Sequence, residues 1–174
     1  PHLALVPETA TILLSGGFPV PQNPTEVRIF QSVFPGVQDH LERMIALRNP
    51  EARVMIMDRV VLDGYAFWPG DLDSFLEAVN LKLDPAMEAY DWVVFFQMPD
   101  EKDFGGNNPF RFHNYAQSVA VSARLEELWS KHPNFIMIPT TEKFELKIQI
   151  ATEVIQMIEA GRTKSEIDEF IRTR

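Results

Sequence analysis

Cysteine is absent from the 174-residue sequence. Disulfides, thiolate zinc sites and cysteine nucleophiles are therefore excluded, and nothing argues for an oxidising compartment. Positive charge is scarce: 16 Lys and Arg stand against 25 Asp and Glu, a formal net charge of −9. A surface of that sign repels phosphate backbones and anionic lipid, so nucleic acid and membranes are poor partners. A small anion in a locally basic pocket stays compatible with it. Long apolar runs are missing too. Stretches such as Trp92-Val93-Val94-Phe95-Phe96 fall far short of the ~20 residues that a spanning helix needs. Pro7-Glu8 stops the run Leu3–Val6 before it could form a secretory core. A soluble, cytoplasmic protein is expected. His2, His40, His113 and His132 show no metal-ligand spacing, and Ser15-Gly16-Gly17 is not a nucleophile elbow.

What is present is an ordinary globular mixture, 45% hydrophobic and 24% charged, long enough for one domain with a real core. Residues 1–174 read as a single domain, with 161–174 as a C-terminal helical extension. Four continuous apolar runs, Leu3–Val6, Val54–Met57, Trp92–Phe96 and Phe135–Ile138, suit strands buried on both faces of a parallel sheet. Helical patterns lie over Thr25–Arg48, Leu72–Val79, Asn114–Lys131 and Glu142–Ala160. Pro35-Gly36 should kink or break the first of these. In the last, Phe144, Ile148, Ala151, Ile155 and Ile158 mark an apolar stripe. Gly161 is placed to end it, and Ser165 with Asp168 reads as a capping box for a short final helix. Strands alternating with helices imply βαβ units and an α/β fold, a three-layer doubly wound parallel sheet.

Such sheets bind ligands beyond the carboxyl ends of their strands. Those exits read Val6-Pro7-Glu8-Thr9, Met57-Asp58-Arg59, Gln97-Met98-Pro99-Asp100 and Ile138-Pro139-Thr140-Thr141. Glu8 and Asp58-Arg59 are thus expected on one rim. The hexapeptide Val54-Met55-Ile56-Met57-Asp58-Arg59 has the form of a Walker B element, whose carboxylate helps to hold Mg²⁺ beside a nucleotide. The adjoining Arg suits charge on a transferring phosphoryl group. The competing reading is a strand-end Asp that caps the next helix, with a surface Arg beside it. Asp63 follows five residues later. Gln38 and Glu42, four apart, share a helix face preceded by Phe30-Gln31. Two amides and a carboxylate can read a nucleoside or ribose; the alternative is a solvated helix face.

The order Val6-Pro7-Glu8, Phe30-Gln31 with Gln38 and Glu42, Asp58-Arg59 with Asp63 and Ala66-Phe67, then Arg111 resembles one P-loop family. It is the AAA-type, kinase-like domain found in the nicotinamide riboside kinase part of the bacterial NAD regulator and in a fly phototransduction-trafficking factor. The likeness runs from Leu3 to about Ile158. It implies a P-loop nucleoside triphosphate hydrolase or kinase fold that binds ATP or GTP with Mg²⁺. Glu8 then corresponds to a base or substrate-hydroxyl ligand, and Asp58 with Arg59 to the acid–Arg pair near Mg²⁺ and phosphates. Gln31, Gln38, Glu42 and Asp63 fall on the substrate side, and Arg111 matches the lid arginine. Val60 departs from the small residue usual after the acid–Arg pair, and Pro35-Gly36 interrupts the substrate-side helix.

The largest departure is a missing motif. No G-x-x-x-x-G-K-[ST] occurs, and no Lys follows a Gly, so nothing cradles β- and γ-phosphates. In the family the strand carrying that loop lies centrally, which in this chain means between Val54–Met57 and Trp92–Phe96. With a chain that opens Pro1-His2, the expectation is missing upstream sequence and a slot between those two strands, because losing a central strand leaves open edges. Asp100–Asn108 with Gly105-Gly106 reads as a lid loop that would bring Arg111 onto phosphate; the alternative is a surface loop with a salt-bridged Arg. The expected function is a small-molecule, nucleoside-like phosphotransferase acting on a nucleoside triphosphate and an acceptor. The rivals are a nucleotide-binding switch or trafficking module without kinase activity and a degenerate scaffold that binds no nucleotide.

Overall fold

The computed structural model describes residues 2–104 and 114–174, in two compact units, Pro1–Glu88 and Ala89–Arg174. The first unit runs β1 (Leu3–Val6), α1 (Thr9–Ser15), α2 (Pro24–Arg48), β2 (Val54–Met57), a 3₁₀ helix over Val61–Phe67, α3 (Leu72–Ala78) and α4 (Leu83–Glu88). β1 and β2 pair in parallel, from Leu3 opposite Val54 to Val6 opposite Met57. Parallel partners need a long crossover, and α1 with α2 supplies it. Asn23 starts α2 by accepting the Glu26 N–H at 3.0 Å, with Pro24 just inside the helix. The helix buries Phe30, Gln31, Phe34 and Gln38 and packs on β1 and on the 3₁₀ helix. Asp71 caps α3 through the Ser74 N–H, which holds its carboxyl below the usual carboxylate range.

Two expectations fail in this unit. α2 is not broken at Pro35-Gly36 but runs unbroken from Pro24 to Arg48. Proline removes one N–H and crowds the preceding turn, yet Phe34 and Gln38 on either side of it are both buried, so packing holds the two halves in one continuous helix. Nor are the strands buried on both faces. Ala4 and Val6 are covered, whereas Leu5 between them is 62% exposed and β2 is half-buried throughout.

The second unit contains β3 (Val93–Phe96), a 3₁₀ turn over Glu101–Asp103, α5 (Tyr115–Trp129), β4 (Phe135–Ile138), α6 (Phe144–Glu159) and α7 (Lys164–Arg172). β3 and β4 are again parallel, Val93 opposite Phe135 to Phe96 opposite Ile138, with α5 between them in sequence. Asn114 and Gln117 cap α5 reciprocally at 2.9 and 3.0 Å. Before β4, His132 is buried. Its Nδ1 accepts the Asn134 N–H at 3.2 Å, so its Nε2 carries the proton donated to the Tyr90 carbonyl at 2.8 Å. The core gathers Ile136 and Ile138 of β4, Ile150, Ala151 and Val154 of α6 and Ile167 of α7. Each large aliphatic side chain there is worth roughly 1.5–3 kcal/mol of burial. Residues of the expected C-terminal extension thus belong to this core.

The buried stripe of α6 matches the expected one only in part: Ala151 is buried and Ile158 packs against the core. Lys147, Ile150, Ala151 and Val154 face inward, while Phe144 is 71% exposed and Ile148 lies open. The helix carries apolar residues on more than one side, and β4 with α7 selects the Ile150–Val154 side. Gly161 does end the helix at φ +74°, with Gly161 N–H to Ile158 O and Arg162 N–H to Met157 O both at 2.9 Å. The capping box of α7 is Thr163 with Glu166 and not Ser165 with Asp168. Asp168 instead pairs with Lys164 at 2.7 Å.

Replacing Pro35 by Ala restores an N–H toward the Gln31 carbonyl. We expect stabilisation of about 2–3 kcal/mol, the usual interior-proline penalty, read as a higher denaturant midpoint. A lower midpoint would show that proline geometry is what seats Phe34 and Gln38.

Candidate functional site

The parallel register brings two chain exits together. The Asp58 N–H donates to the Val6 carbonyl at 2.9 Å, extending the ladder beyond Met57, so Glu8 and Asp58-Arg59 leave the same end of β1–β2. Glu8 is half-buried just before α1, and its Oε2 accepts the Thr11 hydroxyl. Thr9, beside it, is buried and donates to Oε1 of Gln38, whose Nε2 donates to Oε1 of Glu42 at 2.7 Å. A buried hydroxyl, a buried amide and a half-buried carboxylate thus form one directed chain next to Glu8. Both ends of the Gln38 amide are used, so its orientation is fixed.

Asp58 and Arg59 are exposed. Arg59 sits at φ +69°, a left-handed conformation that costs a non-glycine residue roughly 1–2 kcal/mol. Among the described residues its guanidinium has no hydrogen-bond or ion-pair partner. The Asp63 carboxylate accepts the Val60 N–H at 3.2 Å and so closes the start of the 3₁₀ helix.

Gln31 lies apart from the Thr9–Gln38–Glu42 chain, two helical turns earlier on α2. It is 4% exposed, and its Oε1 has no partner among the described residues. That oxygen lies 2.3 Å from where a Cβ on residue 64 would stand, so glycine at 64 makes room for the amide. The sequence by itself does not single out Thr9, Thr11 or Gly64. Thr9 is visible there only as one polar residue in a strand exit, and its bond to Gln38 spans 29 positions.

Arg111 and Gly105-Gly106 lie outside the described residues. Among the described residues no three acidic or histidine side chains gather as a metal centre. None of the described helices is long and apolar enough to cross a membrane. An open groove of about 530 Å³ in the first unit, lined by Arg28, Ile29, Ser32, Trp68, Ser74, Glu77 and Ala78, contains none of the rim residues. In the second unit, Lys147 is only 8% exposed, donates to the Gln97 carbonyl and lies 5.7 Å from the centre of the Phe96 ring. Burial pushes its ammonium below the ordinary lysine range. Comparison with family models, curated proteins and solved structures finds no match to this chain.

Two outcomes follow from these geometries. Gln31→Met removes an acceptor that is buried without a donor and keeps the volume, so the free protein should gain about 1 kcal/mol; a loss of stability in denaturant titration would mean that the amide has a partner. For Lys147, the native pKa lies below the unfolded one, so the unfolded chain binds more protons between those two values. Stability should therefore rise with pH across that alkaline window. Lys147→Met should flatten the rise relative to wild type, as measured by denaturation at stepped pH, and parallel profiles would contradict the assignment.

Proposed function

We propose that the β1–β2 rim is the acceptor side of a P-loop, kinase-like phosphotransferase that acts on a nucleoside-like substrate, within a doubly wound α/β fold. The observation that carries this reading is the parallel register that sends Glu8 and Asp58-Arg59 out of one ladder end beside the Thr9–Gln38–Glu42 chain. Glu8 is suited to accept a proton from an acceptor hydroxyl, being half-buried and held by Thr11. Glu42 has one oxygen engaged by Gln38 and a second for a ribose-type hydroxyl. Gln31 offers an unmet acceptor, and Arg59 offers planar donors suited to phosphate oxygens. Asp63 stands with the substrate side as an expectation of the resemblance. Arg111 does so for the lid.

These side chains fit ATP or GTP with Mg²⁺ only in part. Asp58 supplies one hard oxygen ligand, but the sequence contains no phosphate-cradling loop. A phosphate-cradling loop elsewhere in the protein would rule out the scaffold reading and its absence would favour it, and a phosphate-binding switch stands between the two.

The test incubates the full-length protein, with whatever segment precedes Pro1 in it, with Mg·ATP or Mg·GTP and a panel of nucleosides, with product analysis. Phosphorylated nucleoside is expected, and Asp58→Asn should lower Mg²⁺-dependent turnover by at least ~10²-fold, the scale for losing one electrostatic element. Nucleotide binding without acceptor phosphorylation would select the switch. No nucleotide or nucleoside binding at all would leave the scaffold and sink the kinase reading.

A further inference from the structure

Lys147 breaks several local rules at once. It is buried in the apolar stripe of α6 beside Ile150, Ala151 and Val154, yet no carboxylate pairs with it among the described residues. An ammonium has three donors, and only the bond to the Gln97 carbonyl is made among the described residues, which leaves two without an acceptor. It also occupies the fourth position of α6, next to the positive end of the helix dipole, where anions are favoured and cations are not. No side chain caps that end: Lys143 stands at the N-cap and makes no side-chain bond there. Glu145 in the same turn is exposed and forms no ion pair with Lys147. Each of these costs would be offset by one ligand charge of negative sign.

The surroundings specify what carries that charge. Gln97 follows the last residue of β3, and Thr140 donates its N–H to the Gln97 side chain at 3.1 Å, so the cation lies at the carboxyl end of a parallel ladder, where ligands of such sheets bind. Phe96, 43% exposed, has its ring centre 5.7 Å from Nζ. Phe144 precedes Lys147 by three residues on the same helix and is far more exposed. One aromatic face thus flanks an underused cation, and a second, exposed aromatic residue stands three positions earlier on the same helix.

We propose that this rim of the second unit, centred on Lys147, binds a small organic oxyanion carried on a flat apolar group. The oxyanion meets Nζ and the uncapped N–H groups of Phe144 and Glu145, and the apolar body lies against Phe96 and Phe144. The inference does not rest on the phosphotransfer reading, which concerns residues of the first unit.

The test follows amide and lysine side-chain NMR resonances of the whole chain during titration with phenyl phosphate, benzoate and phenol, each alone. Saturable shifts at residues 96–97 and 144–147 are expected with at least one of the two anions, and phenol should bind at least tenfold more weakly. Comparing phenyl phosphate with benzoate tells which oxyanion the site takes. Lys147→Met should weaken the preferred anion at least tenfold while leaving resonances elsewhere unchanged. Should that variant not fold, Phe144→Ala decides, since the exposed ring can be removed without disturbing the core. It should weaken phenyl phosphate or benzoate several-fold and leave inorganic phosphate unaffected. Shifts of equal size with phenol, no saturation, or full binding by Lys147→Met would overturn the proposal.

Discussion

Everything at the candidate site depends on two strands running the same way. Antiparallel strands can be joined by a tight hairpin, which puts the exit of one beside the entry of the next. A parallel pair must be joined by a crossover, and both exits then lie at one edge of the ladder. In the first unit that edge is drawn closed by the Asp58 N–H on the Val6 carbonyl. Glu8 and Asp58, far apart in sequence, thereby share one rim, and the crossover helix α2 is obliged to lie across β1. Its face therefore meets the rim as well. The Thr9–Gln38 bond is a consequence of that obligation and the point where helix and rim are fastened.

Much of this order is written in local pattern. The four apolar runs become the four strands within a residue, since continuous β-branched and aromatic stretches bounded by polar exits have few other uses. Gly161 ends α6 because its positive φ is nearly free for glycine alone. The readings that failed each involved a choice made by tertiary packing. Nothing local tells which of two apolar sides of α6 will meet β4. Pro35 weakens a helix by a fixed amount, but Phe34 and Gln38 decide whether that amount is enough to break it. Of Thr163–Glu166 and Ser165–Asp168, both satisfy the same pattern, and the position of the preceding Gly161 turn picks the first.

The candidate site is legible in the sequence as residue types and not as partners. Glu8, Asp58 and Arg59 are visible because they stand directly after apolar runs, where the expected fold class would place chemistry. Gln38 and Glu42 are visible as a pair four apart. What cannot be read is that Thr9 completes their chain, that Asp63 spends its carboxylate on the Val60 N–H, or that Gly64 exists to admit the Gln31 amide. Those are contacts between distant segments or choices of local geometry, and a single sequence carries no trace of them.

Natural sequences satisfy local rules nearly everywhere, so the exceptions are informative. Three stand out among the described residues of this chain: an acceptor buried without a donor at Gln31, a left-handed arginine at 59 and a buried cation in a first helical turn at 147. None strengthens the core, and each is individually unfavourable by an amount comparable to a hydrogen bond. Arg59 and Lys147 stand at or beside the carboxyl end of a parallel ladder, and Gln31 lies on the helix that crosses to one. A core under selection for stability alone would have replaced them with residues that cost nothing, as Met at 31 or 147 would. For Lys147 that unmet cost is the physical ground of the anion-site proposal, whereas the rim proposal rests on the parallel register, to which Gln31 and Arg59 add an unmet acceptor and unpaired donors.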